Sequence, residues 1–431
     1  MNVQQAIDEA NRCLLCHDAP CSQACPGGTD PAKFIRQIRF MNLKGAARTV
    51  LGNNPLGGVC ANVCPTDDTC VRACLRSGIG QPIDIDGLQR FAVDYGRSQG
   101  VKAFAKGKEL PHKVAVIGAG PAGLTAAARL ATYGYPVTIF EARKQAGGML
   151  RYGVPETRLT VEDLETDLNE ITALGVEIRT NTRIESKNAA AKLLDEGYSA
   201  VFVAPGLWKP LALNIPGADL DGVTTALTFL DDARVAPETI RTLVKDQFVA
   251  IIGGGSVAMD VATTAIRLGA KRVYALALEG MTELPAMGDE IIEAMELGVV
   301  IKPQAQVSKV LGENGRVVGI EGHETEWVVP GKLTPDNAKK VDGTRFSLKV
   351  GALVQAIGQG ATEAVGGIIT PFKSDRGLAT ADKQSQATTM KKVFAGGDVV
   401  RGAGTVVDAV GDGKRAAEAI HELLSEGQVA L

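Results

Sequence analysis

Val114-Ala-Val-Ile-Gly-Ala-Gly-Pro-Ala-Gly123 is a short apolar run followed by the pattern Gly118-x-Gly120-x-x-Gly123, and it leads into a further apolar stretch through Leu130. Four consecutive apolar residues before a glycine turn read as a strand buried on both faces. The glycines then allow a tight turn, close approach of backbone to a pyrophosphate, and packing of helix on strand. A helix opened by Pro121 and Ala122 would aim unpaired N–H groups and its positive dipole end at the phosphates. Val137-Thr-Ile-Phe-Glu141 supplies the next strand, and Glu141 at its end can accept hydrogen bonds from ribose hydroxyls. A lone glycine motif is a weak signal, but strand, helix and carboxylate together make it a strong one.

The same plan recurs at Val249-Ala-Ile-Ile-Gly253, a helix through Leu268, and Arg272-Val-Tyr-Ala-Leu-Ala-Leu-Glu279. Returning strands at 200–204, 352–357 and 393–395 indicate that one nucleotide-binding unit is inserted into the other. The fold class expected is therefore α/β: a helical N-terminal domain (1–105), a Rossmann-like FAD domain in two pieces (112–231 and 351–431), and a Rossmann-like NAD(H) domain (232–350) between them.

FAD is assigned to the first site by what surrounds it. Gly147-Gly148-Met-Leu150-Arg-Tyr-Gly-Val-Pro155 brings a second glycine pair toward the pyrophosphate, and Arg158 follows it. Downstream, Val393-Phe-Ala-Gly-Gly397-Asp398 resembles the flavoprotein strand whose aspartate bonds the ribityl chain or phosphate. Thr405, Val406 and Val407 at a helix start would offer backbone N–H groups to the flavin pyrimidine edge, favouring the reduced anion. The second site, Gly253-Gly-Gly255-Ser256-Val257-Ala258, is the G-x-G-x-x-A variant used for nicotinamide dinucleotides. Glu279 suits two free ribose hydroxyls and would repel a 2′-phosphate, so NADH is expected rather than NADPH.

All eight cysteines lie within the first 74 residues, as C-x2-C-x4-C-x3-C-P (Cys13, Cys16, Cys21, Cys25) and C-x3-C-P-x4-C-x3-C (Cys60, Cys64, Cys70, Cys74). A disulfide framework would need an oxidising compartment, and the polar, acidic N-terminus has no signal-peptide pattern. Structural zinc competes through the C-x2-C knuckle, but zinc sites usually pair two such knuckles and only Cys13/Cys16 is one. The Cys-Pro pairs and the flavin motif favour iron–sulfur clusters, naively four thiolates each. His17, between cluster cysteines, reads as an outward-facing side chain rather than a ligand. The 46 basic and 49 acidic residues give a net charge of −3, which points to neither nucleic acid nor membrane. No apolar run reaches a membrane-span length, and reduced thiols place the chain in the cytoplasm.

With these residues in view, the chain resembles the family that holds the glutamate synthase small subunit and the N-terminal half of dihydropyrimidine dehydrogenase. Gly147 to Pro155 with Arg158-Leu159 is its shared signature, and Ile252-Gly-Gly-Gly with Met259-Asp260 is similar to its second site. Arg12 to Pro26, Asn54 to Thr66, and Pro82 to Phe91 look like the dihydropyrimidine dehydrogenase branch. The resemblance implies two [4Fe–4S] clusters: one on Cys13, Cys16, Cys21 and Cys74, the other on Cys25, Cys64, Cys70 and the amide of Gln89, with Cys60 left over as the alternative fourth ligand to Gln89. It also implies an electron-input role, from NADH through FAD and the clusters to a separate FMN- and iron–sulfur-containing catalytic subunit, in a heterotetramer. That partner would interconvert uracil or thymine with the 5,6-dihydro forms. No residue of this chain is assigned to pyrimidine chemistry: there is no run of eight β/α units, no second flavin motif, and no cysteine after Cys74. The alternatives are a glutamate synthase small subunit, an NADH-dependent ferredoxin reductase, or a non-catalytic nucleotide sensor.

Overall fold

The computed structural model describes residues 1–369, 374–375 and 377–426; residues 370–373, 376 and 427–431 of the expected FAD domain lie outside them. The chain divides into two compact units, Met1–Arg151 with Glu156–Leu207 and Gly360–Leu431, and Tyr152–Pro155 with Trp208–Gln359.

The first unit opens with short helices whose boundaries are set locally. Asp30 caps Pro31–Arg39 by accepting from the Lys33 N–H, with Pro31 at the first helical position, and Asn42 caps Leu43–Asn53 through the Gly45 N–H. Asp84 caps Ile85–Ser98 in the same way through the Gly87 N–H. These helices bury Phe34, Ile35, Ile38, Val50, Leu51, Leu88 and Val93 in one core. Each such side chain contributes roughly 1.5–3 kcal/mol by leaving water. Most of the cysteines lie in connecting segments or at helix ends, the exceptions being Cys21 within the four-residue helix Pro20–Gln23 and Cys60 within Gly57–Val63. Cys64 ends Gly57–Val63 in extended backbone, as a residue before proline must, and Cys74 precedes the 3-10 turn Leu75–Gly78.

The rest of the first unit is a five-stranded parallel sheet in the order Val393–Ala395, Ala200–Val203, Val114–Ile117, Val137–Phe140, Glu177–Arg179. Helix Pro121–Tyr133 follows the first glycine turn, and the long helix Val406–Glu426 packs along it. The second unit repeats the plan with the order Val223–Thr225, Ala352–Gln355, Phe248–Ile252, Arg272–Leu276, Val300–Lys302. An antiparallel sheet built on Ala305–Glu313 and Arg316–Trp327 leads into the returning strand. The strand expected at 352–357 thus runs Ala352–Gln355 and sits in the second unit, because it pairs in parallel with Phe248–Ile252 and Val223–Thr225. The strand expected to run to Glu279 ends at Leu276, so Glu279 lies on the loop beyond it. Among the described residues no helix is long and apolar enough to cross a membrane.

Candidate cofactor sites

The three glycines of the first motif meet three different surroundings. Gly118 has φ +100°, and a Cβ there would lie 2.4 Å from the Ala204 carbonyl oxygen. At Gly123 a Cβ would lie 2.0 Å from the Gly118 carbonyl, so helix and strand touch there. Gly120 faces open space, with nothing within 4 Å of the point a Cβ would occupy. The first and third glycines are therefore fixed by the protein itself, and the second leaves the gap through which a pyrophosphate reaches backbone N–H groups. Gly148 closes on the same point, its Cβ position 2.8 Å from the Gly120 Cα, and Gly397, with φ +73°, has its Cβ position 3.2 Å from Ala122. Glu141 is buried; its carboxylate accepts from the Ala119 N–H and the Arg143 N–H, both at 2.8 Å, and so ties the turn to the end of the second strand.

Other expected flavin residues lie in short helices, turns and a helix start of the same compact unit. Leu150 is fully buried in the short helix Met149–Tyr152, and Arg158 is half-buried just beyond it. Asp398 opens the helix Asp398–Arg401, and burial pushes its carboxyl up to about 6. Thr405 bonds Asp408 with its hydroxyl at 2.6 Å, and Val406 begins the long helix with Val407 buried behind it. The fit to a dinucleotide is good: an open glycine, a buried carboxylate and a helix N-terminus converge. Asp412 belongs to this group although no motif marks it. It is almost fully buried, accepts from the Gly397 N–H at 2.8 Å and holds Arg401, which fixes the turn before Asp398.

In the second motif Gly253 has φ +137° and packs against the Ala356 carbonyl, whereas Gly255 is open, its nearest neighbour a Pro285 carbon at 3.9 Å. Ser256 starts the helix Ser256–Arg267, and Val257 in its first turn is half exposed. The Glu279 carboxylate stands over the turn, Oε2 lying 3.2 Å from a Cβ position on Gly254. Glu283 braces that loop, accepting from the Gly280 N–H at 3.0 Å and the Trp327 indole at 2.9 Å.

The cysteines line two separate cavities. One is walled by Cys13, Cys16, Cys21 and Cys74 with Leu14, Ile35 and Leu75. The other is walled by Cys25, Cys60, Cys64, Cys70 and Gln89 with Asp86 and Val407. All eight thiols are free. Burial, with Cys74 and Cys13 alongside, pushes the Cys21 thiol up to about 11, and burial pushes Cys70 up to about 12. A hydrogen bond that the Cys64 thiol makes to Cys60, and then burial, hold Cys64 well above the ordinary thiol range. Crowded, buried thiols resist ionisation unless a cationic group joins them, which suits a metal cluster. Among the described residues no three His, Cys, Asp or Glu groups converge as a single-ion site requires, and the thiols surround cavities instead. Gln89 donates its amide nitrogen to the Gly57 carbonyl at 3.1 Å, leaving the amide oxygen free to face the cavity. Cys60 lies in the same wall, buried.

Two dinucleotide sites on paired parallel sheets, with a thiol-lined helical segment ahead of them, define a flavin-type reductase joined to an iron–sulfur domain. Residues 1–101 match the family described as dihydropyrimidine dehydrogenase domain II, 4Fe-4S cluster, and residues 112–413 match pyridine nucleotide-disulphide oxidoreductase. The NAD-dependent dihydropyrimidine dehydrogenase subunit PreT of Escherichia coli is 41% identical over 97% of this chain and 94% of its own length. The NADP(+)-dependent formate dehydrogenase subunit beta of Moorella thermoacetica is 35% identical over 95% of this chain and 60% of its own length. FprA of Mycobacterium tuberculosis, solved with NADPH, shares the fold at a TM-score of 0.61 and 17% identity, over 74% of this chain and 86% of that one. The chain belongs to the pyridine nucleotide-disulphide oxidoreductases and, within them, to the PreT family of dihydropyrimidine dehydrogenase subunits. It is an NAD-dependent oxidoreductase of the FAD and iron–sulfur type.

Proposed function

We propose that this chain is the electron-input subunit of a cytoplasmic NAD-dependent dihydropyrimidine dehydrogenase. It would pass electrons between NADH and a separate FMN- and iron–sulfur-containing subunit that interconverts uracil or thymine with the 5,6-dihydro forms. The observation that carries the electron-transfer part is Val407. It is the last of the three residues expected at the flavin edge, and it also forms part of the wall of the cavity lined by Cys25, Cys64 and Cys70. A flavin bound at that helix start would sit across one side chain from a cluster. When bound, flavin accepts a hydride from NADH and releases single electrons, which iron–sulfur clusters require.

The chain's residues have distinct tasks in this reading. Glu279 holds the adenosine ribose and rejects a 2′-phosphate; Gly120 and Gly148 admit the flavin pyrophosphate; Glu141 takes the flavin ribose. Cys13, Cys16, Cys21 and Cys74 would hold one cluster, and Cys25, Cys64, Cys70 and Gln89 the other. Likeness to PreT over nearly the whole of both chains supports the pyrimidine destination. The formate dehydrogenase subunit beta is likewise named as one subunit of a dehydrogenase, which accords with a separate catalytic partner.

The test is anaerobic. The chain, purified with its native partners, should oxidise NADH when uracil is added and stay idle with glutamine plus 2-oxoglutarate. Alone, it should reduce artificial acceptors and leave uracil untouched. Uracil reduction by the isolated chain would overturn the division of labour. NADH-bleached flavin with no response to uracil in the complex would overturn the pyrimidine destination and favour a ferredoxin-type acceptor.

A further inference from the structure

The loop Cys25-Pro26-Gly27-Gly28-Thr29 is pressed against the long helix Val406–Glu426. A Cβ on Gly411 would meet the Pro26 carbonyl oxygen at 2.5 Å, and one on Gly27 would meet Val407 Cγ2 at 3.0 Å. Seven residues on from Val407, about two helical turns along the same face, stands Lys414. Its half-buried ammonium donates to the Gly27 carbonyl at 2.8 Å and to Asn53 Oδ1 at 2.6 Å. Asn53 closes the ring, its amide nitrogen donating to the Gly27 carbonyl at 3.2 Å and to Thr29 Oγ1 at 3.0 Å. Gly27 stands two residues after Cys25, so the ammonium is held on the loop that carries that thiol.

We propose that Lys414 is a positioning residue for electron transfer between flavin and cluster, and that its fixed charge raises the reduction potential of the cluster held in the Cys25 cavity. The inference rests on the electron-transfer reading given above. The clamp fixes the cluster loop to the helix whose first turn faces the flavin. Reduction adds negative charge to a cluster, and a cation held nearby in a half-buried site favours the reduced state. A purely structural anchor would not need the charge, because a neutral donor can also bond the Gly27 carbonyl. The step balances simply: NADH delivers two electrons and a proton as hydride, each of two clusters accepts one electron, and the proton leaves to solvent, giving NAD⁺.

The experiment uses the full-length, cluster-loaded chain and compares Lys414→Met and Lys414→Arg with the parent. Redox titration followed by electron paramagnetic resonance reads each cluster's potential. Rapid mixing with NADH reads cluster reduction against flavin bleaching in the same sample. For Lys414→Met the expected result is a more negative potential at the Cys25 cavity alone, and cluster reduction about tenfold slower relative to bleaching. Lys414→Arg should restore the potential. Should Lys414→Met lose iron, Lys414→Gln keeps a donor for Gly27 and carries the same expectation. An unshifted potential in a variant that NADH still reduces overturns this inference and leaves the functional reading intact, as does a shift in Lys414→Arg equal to that in Lys414→Met. If NADH fails to bleach the parent's flavin, the functional reading falls and takes this inference with it.

Discussion

Gly118 and Gly120 belong to one motif but answer to different constraints, and substitution should separate them. Gly118 is left-handed and hard against the Ala204 carbonyl, so Gly118→Ala strains the backbone and should destabilise the fold by about 2 kcal/mol or more. Gly120 has extended backbone, φ −82° and ψ −179°, and open space around it. Gly120→Ala should therefore leave the thermal midpoint of the flavin-free protein unmoved while flavin content, read from visible absorbance, falls sharply. Equal loss of stability in both variants would show that the gap at Gly120 is not a ligand site. Glu279 gives a second contrast. Among the described residues nothing donates to its side chain, so its carboxylate is available to a ribose. Glu279→Gln should raise the KM for NADH about tenfold, the size expected for losing a charge-assisted hydrogen bond. Its use of NADPH should rise as well, and an unchanged NADH-to-NADPH preference would count against the role. These positions are legible in the sequence because a glycine motif or a carboxylate at a fixed offset carries its own geometry. Lys414 and Asp412 are not, since no motif marks them and Lys414 meets a loop 387 positions away.

One helix, Ile85–Ser98, shows what sequence periodicity reveals at the level of an element and what it hides. Its Asp84 cap and its buried Leu88 and Val93 follow from local pattern, and Gln89 stands out by resemblance. What stays hidden is the polar face. Arg90 pairs with Asp163 at 2.8 Å, and Arg97 pairs with Asp167 and with Glu170, the latter at 3.0 Å, so this helix is latched to Val161–Thr172. Read from sequence, such charges pass for a solvated face, because partners some 70 residues away leave no periodic trace. Asp167 has no exposure, and burial pushes its carboxyl up to about 6 despite Arg97 and the Val59 N–H. A carboxyl whose folded-state pKa is raised binds its proton more tightly when folded. Its stabilising contribution is therefore full below the unfolded value near 3.8 and is lost as pH rises through about 6. Arg97→Met removes the partner of that buried carboxylate, so it should cost about 3 kcal/mol at pH 7, where Asp167 is charged. The cost should be clearly smaller at pH 5, where the proton takes over. Denaturation midpoints of parent and variant at the two pH values check this, and a loss independent of pH would mean that Arg97 acts by packing alone.

For the whole molecule, the two-motif plan and the insertion are legible from the alternation of strands and glycine turns, since a parallel strand order forces the chain to leave one sheet and return. The grouping of eight cysteines into two cavities is legible only through the family resemblance, because spacing alone suggests two consecutive blocks of four. The fold instead brings Cys74 to Cys13, Cys16 and Cys21, and sets Cys25 opposite Cys64 and Cys70. This interleaving has a functional consequence. Val407 belongs to the wall of the Cys25 cavity and not to that of the Cys13 cavity. Electrons leaving a flavin at that helix start should then reach the Cys25 cavity first and the Cys13 cavity second. Single serine substitutions in the two cavities test the order. With Cys16→Ser, NADH should still reduce the cluster proposed for the Cys25 cavity, seen by electron paramagnetic resonance after rapid freezing. With Cys70→Ser, the flavin should bleach at the parent rate while the cluster proposed for the Cys13 cavity stays oxidised on the same timescale, although dithionite can reduce it directly. Rapid reduction of that cluster by NADH in Cys70→Ser would mean that the flavin feeds it without the other, and the serial order would have to be abandoned.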